Sequence, residues 1–227
     1  MKIVPTREGY DLWSEIYDAE DNALIALERQ FFPALIGPIA GATVLDVGGG
    51  TGRQAIDLVT QGAQVTLLDF SEKMMAKARE KIGGQRVHLV CQDITRGLAV
   101  RSGCCDLVIS CLVLDHIADL IGLMKEMKRV CRPTGAICLS VMHPAMNLLG
   151  VQARFNDPAT GEKTYPLSLR HQISDYVMAA VGAGLTIEVM QEYVVDDQLT
   201  RISMRAQKYL GQPLLLLMRL LPRAKNS

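Results

Sequence analysis

The sequence predicts an α/β fold, a parallel sheet covered by helices on both faces. Three observations carry that expectation. Across residues 42–143 short apolar runs alternate with amphipathic ones. The first of these runs, Val44-Leu45-Asp46-Val47, opens directly into the glycine-rich stretch Gly48-Gly49-Gly50-Thr51-Gly52. A second run, Val65-Thr66-Leu67-Leu68-Asp69, follows one helix-length later. Strand, glycine turn, helix, strand is the repeating unit of nucleotide-binding sheets.

Taken in chain order, residues 7–32 place Leu12, Ile16, Leu24, Leu27 and Phe31 at helical spacing and meet Pro33, which predicts a helical cap that ends there. Gly48, Gly50 and Gly52 lack the Cβ that would forbid a sharp turn lying against a ligand. The helix behind them aims unpaired N–H groups at that ligand. A dinucleotide fingerprint needs a small residue one place beyond Gly52, and Arg53 stands there, which argues against a dehydrogenase. Asp46 puts a carboxylate beside the loop, repelling a pyrophosphate but suited to an ammonium group. Asp69, ending the second strand, suits the two hydroxyls of a ribose. The ligand that meets both demands is an amino-acid nucleoside.

Ser71 is placed to cap the next helix, with Glu72 in its first turn. Val87-His88-Leu89-Val90-Cys91 and Asp106-Leu107-Val108-Ile109-Ser110-Cys111 read as the third and fourth strands. Residues 144–170 break the rhythm with Pro144, Asn156-Asp157-Pro158, Thr160-Gly161 and Pro166, predicting a long irregular insertion of the kind that is often functional. Residues 174–182 then read as a helix, 185–189 as a strand, and 196–210 as a polar helical connection. The apolar run 213–221 falls short of the roughly 20 residues of a spanning helix and reads as a buried strand.

On these residues the chain resembles the class I S-adenosylmethionine-dependent methyltransferases, and its cap and insertion resemble the group that contains the ubiquinone- and menaquinone-biosynthesis enzymes. The resemblance implies a Rossmann-like, seven-stranded, mostly parallel sheet with an antiparallel last strand and an N-terminal helical cap. It implies S-adenosylmethionine as cofactor, with Asp46, Gly48, Gly50 and Gly52 at its methionine end and Asp69 on its ribose. In Gln92-Asp93-Ile94, Asp93 would meet the adenine amino group, with Ile94 beside it and Phe70 and Met74 lining the adenine slot. Cys111, and Tyr17 from the pattern Tyr10-Asp11-Leu12-Trp13-Ser14-Glu15-Ile16-Tyr17-Asp18, join the cofactor set. Arg132-Pro133-Thr134-Gly135-Ala136 resembles the family's turn into the fifth strand, with Thr134 where a glycine is usual.

Methyl transfer needs a base only when the acceptor arrives protonated. His116, after Leu112-Val113-Leu114-Asp115, and His143, in Met142-His143-Pro144, stand where this family flanks the methyl group and are the candidate bases. Each has a structural alternative, His116 as a cap of the following helix and His143 as part of a proline turn. His171 reads as a surface or capping residue, and Arg154 and Tyr165 as candidate substrate contacts.

The 227 residues, about half of them apolar and with net charge zero, predict one domain. It divides into a cap at 1–40, a cofactor-binding core at 41–143, a substrate lid at 144–170, and further strands and helices of the same sheet at 171–227. The absence of a basic surplus argues against a nucleic-acid partner. Ser110-Cys111-Leu112-Val113 also lacks the Asp/Asn-Pro-Pro-aromatic signature of enzymes that methylate exocyclic amines of bases. The six cysteines show no zinc spacing and read as reduced core residues, and no apolar signal segment stands at the start, so the expectation is a cytoplasmic monomer or homodimer binding no metal and no membrane. The predicted function is in-line methyl transfer to an oxygen, nitrogen or carbon of a small molecule. The alternatives are a methyltransferase acting on a modified tRNA base and a non-catalytic cofactor-binding protein.

Overall fold

The computed structural model describes residues 2–222, so residue 1 and residues 223–227 of the cap and C-terminal stretches lie outside it. The chain runs β1 (Lys2–Val4), α1 (Thr6–Trp13), α2 (Ala23–Ile36), β2 (Thr43–Val47), α3 (Arg53–Thr60), β3 (Gln64–Asp69), α4 (Glu72–Ile82), β4 (Val87–Cys91) and β5 (Cys105–Cys111). It continues through α5 (Leu120–Val130), β6 (Cys131–Met142), α6 (Ala145–Leu148), β7 (Phe155–Asn156), β8 (Lys163–Pro166), α7 (Ile173–Gly182), β9 (Leu185–Val194), α8 (Asp197–Ile202) and β10 (Pro213–Pro222).

Seven strands form one sheet in the order β4-β3-β2-β5-β6-β10-β9. The first five lie parallel, and β10 slots in antiparallel to both β6 and β9. Along β2, Leu45 and Val47 face a core shared with α5 and α7, while Val44 faces one shared with α2 and α3. Burial on both faces is why such strands read as continuous apolar runs. Because β2 pairs with β3 on one side and β5 on the other, strand order reverses there, and the crevice beyond the carboxyl ends of β2 and β5 is where such sheets bind ligands. The apolar 213–221 run is β10, buried inside this sheet, and among the described residues no helix is long and apolar enough to cross a membrane.

The expected single helix over 7–32 is two helices. α1 stops at Trp13, and Asn22 opens α2 by accepting from the N–H groups of Leu24 and Ile25, at 3.0 and 3.4 Å. Pro33 does not end the run either: it costs one backbone donor, and α2 continues to Ile36 before Gly37, at φ 69°, terminates it. The segment 132–136 is part of β6 rather than a turn before it. The register jumps from the pair Cys105–Cys131 to Leu107–Ala136, and at Gly135 a Cβ would sit 2.6 Å from the Asp106 carbonyl, so glycine lets the two backbones approach. β9 runs on past the expected 189 to Val194. The 196–210 connection is α8 followed by a 3-10 run at Met204–Tyr209.

The larger surprise is a second sheet, β1-β8-β7. The insertion is not irregular: β7 and β8 form a hairpin, and β1 lies parallel to β8 through Lys2–Thr164, Ile3–Tyr165 and Val4–Pro166. The N-terminal segment and the insertion are therefore one physical unit. α1 packs so closely on β8 that a Cβ at Gly9 would lie 2.8 Å from the Pro166 side chain. Trp13 stacks on Phe155 at 5.1 Å. The other side of this unit is strapped to α4 by Lys77–Glu15 at 3.0 Å and Lys81–Asp18 at 2.7 Å, with Asp18 also accepting from the Thr51 hydroxyl.

Candidate functional site

Beyond the carboxyl ends of β2 and β5 lies a cleft of about 230 Å³. Its floor is the glycine loop, pinned because the N–H groups of Gly48 and Gly49 both donate to the Leu68 carbonyl at the end of β3. Gly48 sits at φ 75°, where a Cβ would lie 2.5 Å from the Val113 side chain, so the position excludes every larger residue. Gly50, also in the left-handed region, faces open space, and Gly52 starts α3. Asp69 holds the loop in shape: one oxygen accepts from Gly50 N–H at 2.9 Å and the other from Ser71 N–H at 2.8 Å. Burial pushes the Asp69 carboxyl up, and those N–H donors work against the shift.

Asp46 is buried and neither of its oxygens has a partner. Burial pushes its pKa to about 7, against the pull of the Arg53 guanidinium. Arg53 pairs one nitrogen with the fully buried Glu28, which also accepts from the Ser140 hydroxyl, while Nη1 has no partner. Buried polar groups are almost always satisfied, so an orphan carboxylate and an orphan guanidinium N–H lining one cleft mark a ligand. Together they match the ammonium and carboxylate of an α-amino acid. Sequence reasoning used Arg53 only to exclude a dinucleotide. The signal was there, a cation at the start of a helix beside a strand-end acid, but its meaning depends on Glu28 holding the side chain in place.

On the far side of the loop, Phe70, Met74, Asp93 and Ile94 line the cleft. Asp93 accepts from both the backbone and the hydroxyl of Thr95, at 3.0 and 2.6 Å, which holds its carboxyl below the usual range.

The remaining wall carries Tyr10, Tyr17, Cys111, Leu112 and His116. His116 Nδ1 lies 2.7 Å from the Leu167 carbonyl, an acceptor only, so Nδ1 bears the proton and Nε2 accepts from the Tyr10 hydroxyl at 2.9 Å. Asp115 stands 3.7 Å from the same Nε2. Burial raises the Tyr10 phenol well above its ordinary value and that of Tyr17 to about 12, so both are neutral donors. Leu112, at φ 59°, is the non-glycine residue with left-handed backbone among those described, a conformation that persists only where its surroundings enforce it.

Tyr10, Tyr17 and Leu112 also wall a second cavity, of about 140 Å³, that reaches Trp13, Arg154 and Tyr209. His143 lines neither space. Just past the end of β6, its Nδ1 accepts from the N–H of Ala145, the first residue of α6, at 3.1 Å, and its Nε2 meets Glu192 of β9 at 2.7 Å. Tyr165 pairs within the small sheet and borders neither cavity, and His171 meets the Ile117 carbonyl at 2.9 Å.

Comparison with known proteins bears on the family. The family described as a methyltransferase domain matches residues 45–139. A phosphatidylethanolamine N-methyltransferase of Cereibacter sphaeroides is 30% identical over 195 residues, 85% of this chain and 92% of that protein. The chain belongs to the class I S-adenosylmethionine-dependent methyltransferases. An uncharacterized methyltransferase of Emericella nidulans is 28% identical over 259 residues, covering 93% of this chain and 88% of that one. The methyltransferase fold is shared with an S-adenosylmethionine dependent methyltransferase of Mesorhizobium loti, whose crystal structure superposes with a TM-score of 0.73 at 22% identity, over 88% of this chain and 100% of that one.

S-adenosylmethionine is thus the cofactor of this methyltransferase, and the cleft fits it. The orphan pair Asp46 and Arg53 suits its zwitterionic end, and the flat apolar slot beside Asp93 suits its base.

Proposed function

We propose that this methyltransferase acts on a small-molecule acceptor held in the second cavity, and that the shared wall of Tyr10, Tyr17 and Leu112 is where the two substrates meet. The observation that carries the reading is that shared wall: two cavities separated by three side chains, one of them hydrogen-bonded to a histidine whose tautomer is fixed. Asp46 would accept from the cofactor's ammonium group and Arg53 Nη1 would donate to its carboxylate. Asp69 would turn its remaining lone pairs to the ribose hydroxyls, Asp93 would accept from the adenine amino group, and Phe70, Met74 and Ile94 would hold the ring. Gly48 and Gly50 would let the backbone approach it, Gly52 serves instead to start α3 against Ala78 of α4, and Tyr17 and Cys111 would complete the wall around it.

The cofactor supplies the activated methyl group. The protein's share is position and proton management, and holding two reactants in line removes about 7–11 kcal/mol of barrier. An acceptor O–H or N–H placed at Tyr10 gives its proton to the phenol oxygen as the phenol passes its own to His116 Nε2. The resulting imidazolium is held by the Leu167 carbonyl on one side and Asp115 on the other. His116 is therefore the base and Tyr10 the group that touches the acceptor. The 144–170 unit serves as the acceptor lid.

The test is transfer of labelled methyl from S-adenosylmethionine to a low-mass cell extract and, in parallel, to bulk tRNA. Label in the low-mass fraction supports the reading. Label in tRNA replaces it with an RNA methyltransferase.

A further inference from the structure

We infer that the acceptor is an anion, carrying a carboxylate-type group on a flat apolar body, and that Arg154 recognises that group at the end of the cavity away from the reacting atom. This rests on the reading that the second cavity holds the acceptor.

The charges around that cavity are Glu20, Asp21, Asp115, Arg154, Arg205 and Lys208. Five of them have partners inside the protein. Glu20 accepts from the Trp13 ring N–H at 3.2 Å and lies 3.7 Å from the Arg205 guanidinium. Asp21 accepts from the Arg205 backbone N–H at 3.1 Å, and Asp115 faces His116. Lys208 rests over the neighbouring Tyr209 ring at 4.7 Å. Arg154 is half-buried and has no hydrogen bond, ion pair or ring contact among the described residues. A partly desolvated guanidinium without an acceptor is costly, and a planar carboxylate is a group that its fork fits in a bidentate pair.

The mounting of Arg154 points the same way. The next residue, Phe155, is 3% exposed, pairs with Thr164 in the small sheet and stacks on Trp13, so the backbone that presents the guanidinium is fixed before any ligand arrives. Trp13, Tyr17 and Tyr209 line the same cavity and give it aromatic surface. Arg154 does not border the cofactor cleft, so the anion it holds stays clear of the sulfonium while the acceptor's nucleophile reaches the shared wall.

The probe is 4-hydroxybenzoate against its uncharged amide, each titrated into protein saturated with S-adenosylhomocysteine and followed by saturation-transfer NMR. The acid is expected to bind saturably and about ten-fold or more tighter than the amide, the usual worth of a charge-assisted contact. Arg154→Ala should erase that preference, Arg154→Lys should keep part of it, and both variants should bind S-adenosylhomocysteine as the wild type does. Equal binding of acid and amide, no saturable binding of either, or a preference that survives Arg154→Ala would overturn the inference. If wild-type protein fails to bind S-adenosylhomocysteine, the cofactor assignment of the cleft falls first and this inference falls with it.

Discussion

The two cavities share a wall but are built by different means. Apart from Thr6, Tyr10 and Tyr17, which the N-terminal cap lends to its wall, the cofactor cleft is made of strand ends and the turns that follow them, at residues 48–54, 69–74, 93–95 and 111–117, so most of its parts are contiguous in sequence. The second cavity draws on α1, the turn before α2, Arg154 from the insertion and Tyr209 from the 3-10 run, which meet only through tertiary packing. The first is defined by backbone and has little freedom to vary. The second is defined by side chains on added elements, and a few substitutions there would change its occupant without disturbing the sheet. A chemistry fixed in one half and a selectivity adjustable in the other is what that division permits.

The strongest way to break the comparison is Asp69→Ala. Two backbone N–H groups lose their acceptor along with the ribose, so S-adenosylhomocysteine affinity should fall about 100-fold or more, as read by calorimetry. Unchanged affinity would mean that the cleft does not depend on its backbone frame.

Tyr10→Phe probes the shared wall. It removes the hydroxyl from His116 and leaves the ring in place, so turnover should drop by about 10²-fold, within the range of acid–base contributions, with S-adenosylhomocysteine affinity nearly unchanged. Equal loss of both would place Tyr10 with the cofactor and not between the two substrates.

A subtler effect is pH. With its pKa near 7 in the folded protein and far lower when unfolded, Asp46 binds a proton on folding between about pH 4 and 7. Its contribution to stability therefore declines as pH rises through that window, and Asp46→Asn should flatten the decline in thermal melts. Binding the cofactor's ammonium needs the ionised form, so at pH 6 association should release a proton, detectable as buffer-dependent heat, and affinity should rise toward pH 8. Absence of proton release would detach Asp46 from the ammonium.

The smallest expected effect is at His143. His143→Gln should cost about 1 kcal/mol of stability through its contacts with Ala145 and Glu192, and should leave turnover as it is. A collapse in turnover would return it to the reaction.

The same division explains what was legible in the sequence. Gly48, Asp46 and Asp69 stand out because strand-end geometry is local: a few residues decide the turn. Asn22 escaped because the apolar spacing on either side of it is continuous, and a break in a helix shows only in its cap. The strand Lys2–Val4 is too short to have a period, and its partner Thr164–Pro166 lies far away in the chain, so no window could have joined them. Arg53 was visible as a residue and opaque as a group, since its free nitrogen exists only because Glu28 occupies the other. The tautomer of His116 likewise hangs on the Leu167 carbonyl, a contact from the insertion that fixes which ring nitrogen is bare.

The straps Lys77–Glu15 and Lys81–Asp18 give the cover of the cleft a kinetic character of its own. The straps are partly exposed ions, with Glu15 61% and Asp18 37% accessible. Between 0.1 and 1 M salt the screening length contracts from about 10 to 3 Å, which loosens ionic clasps and leaves the Trp13–Phe155 stack untouched. A cap held by such clasps should loosen over the cleft as ionic strength rises, and release of S-adenosylhomocysteine should quicken with it, read by stopped-flow displacement.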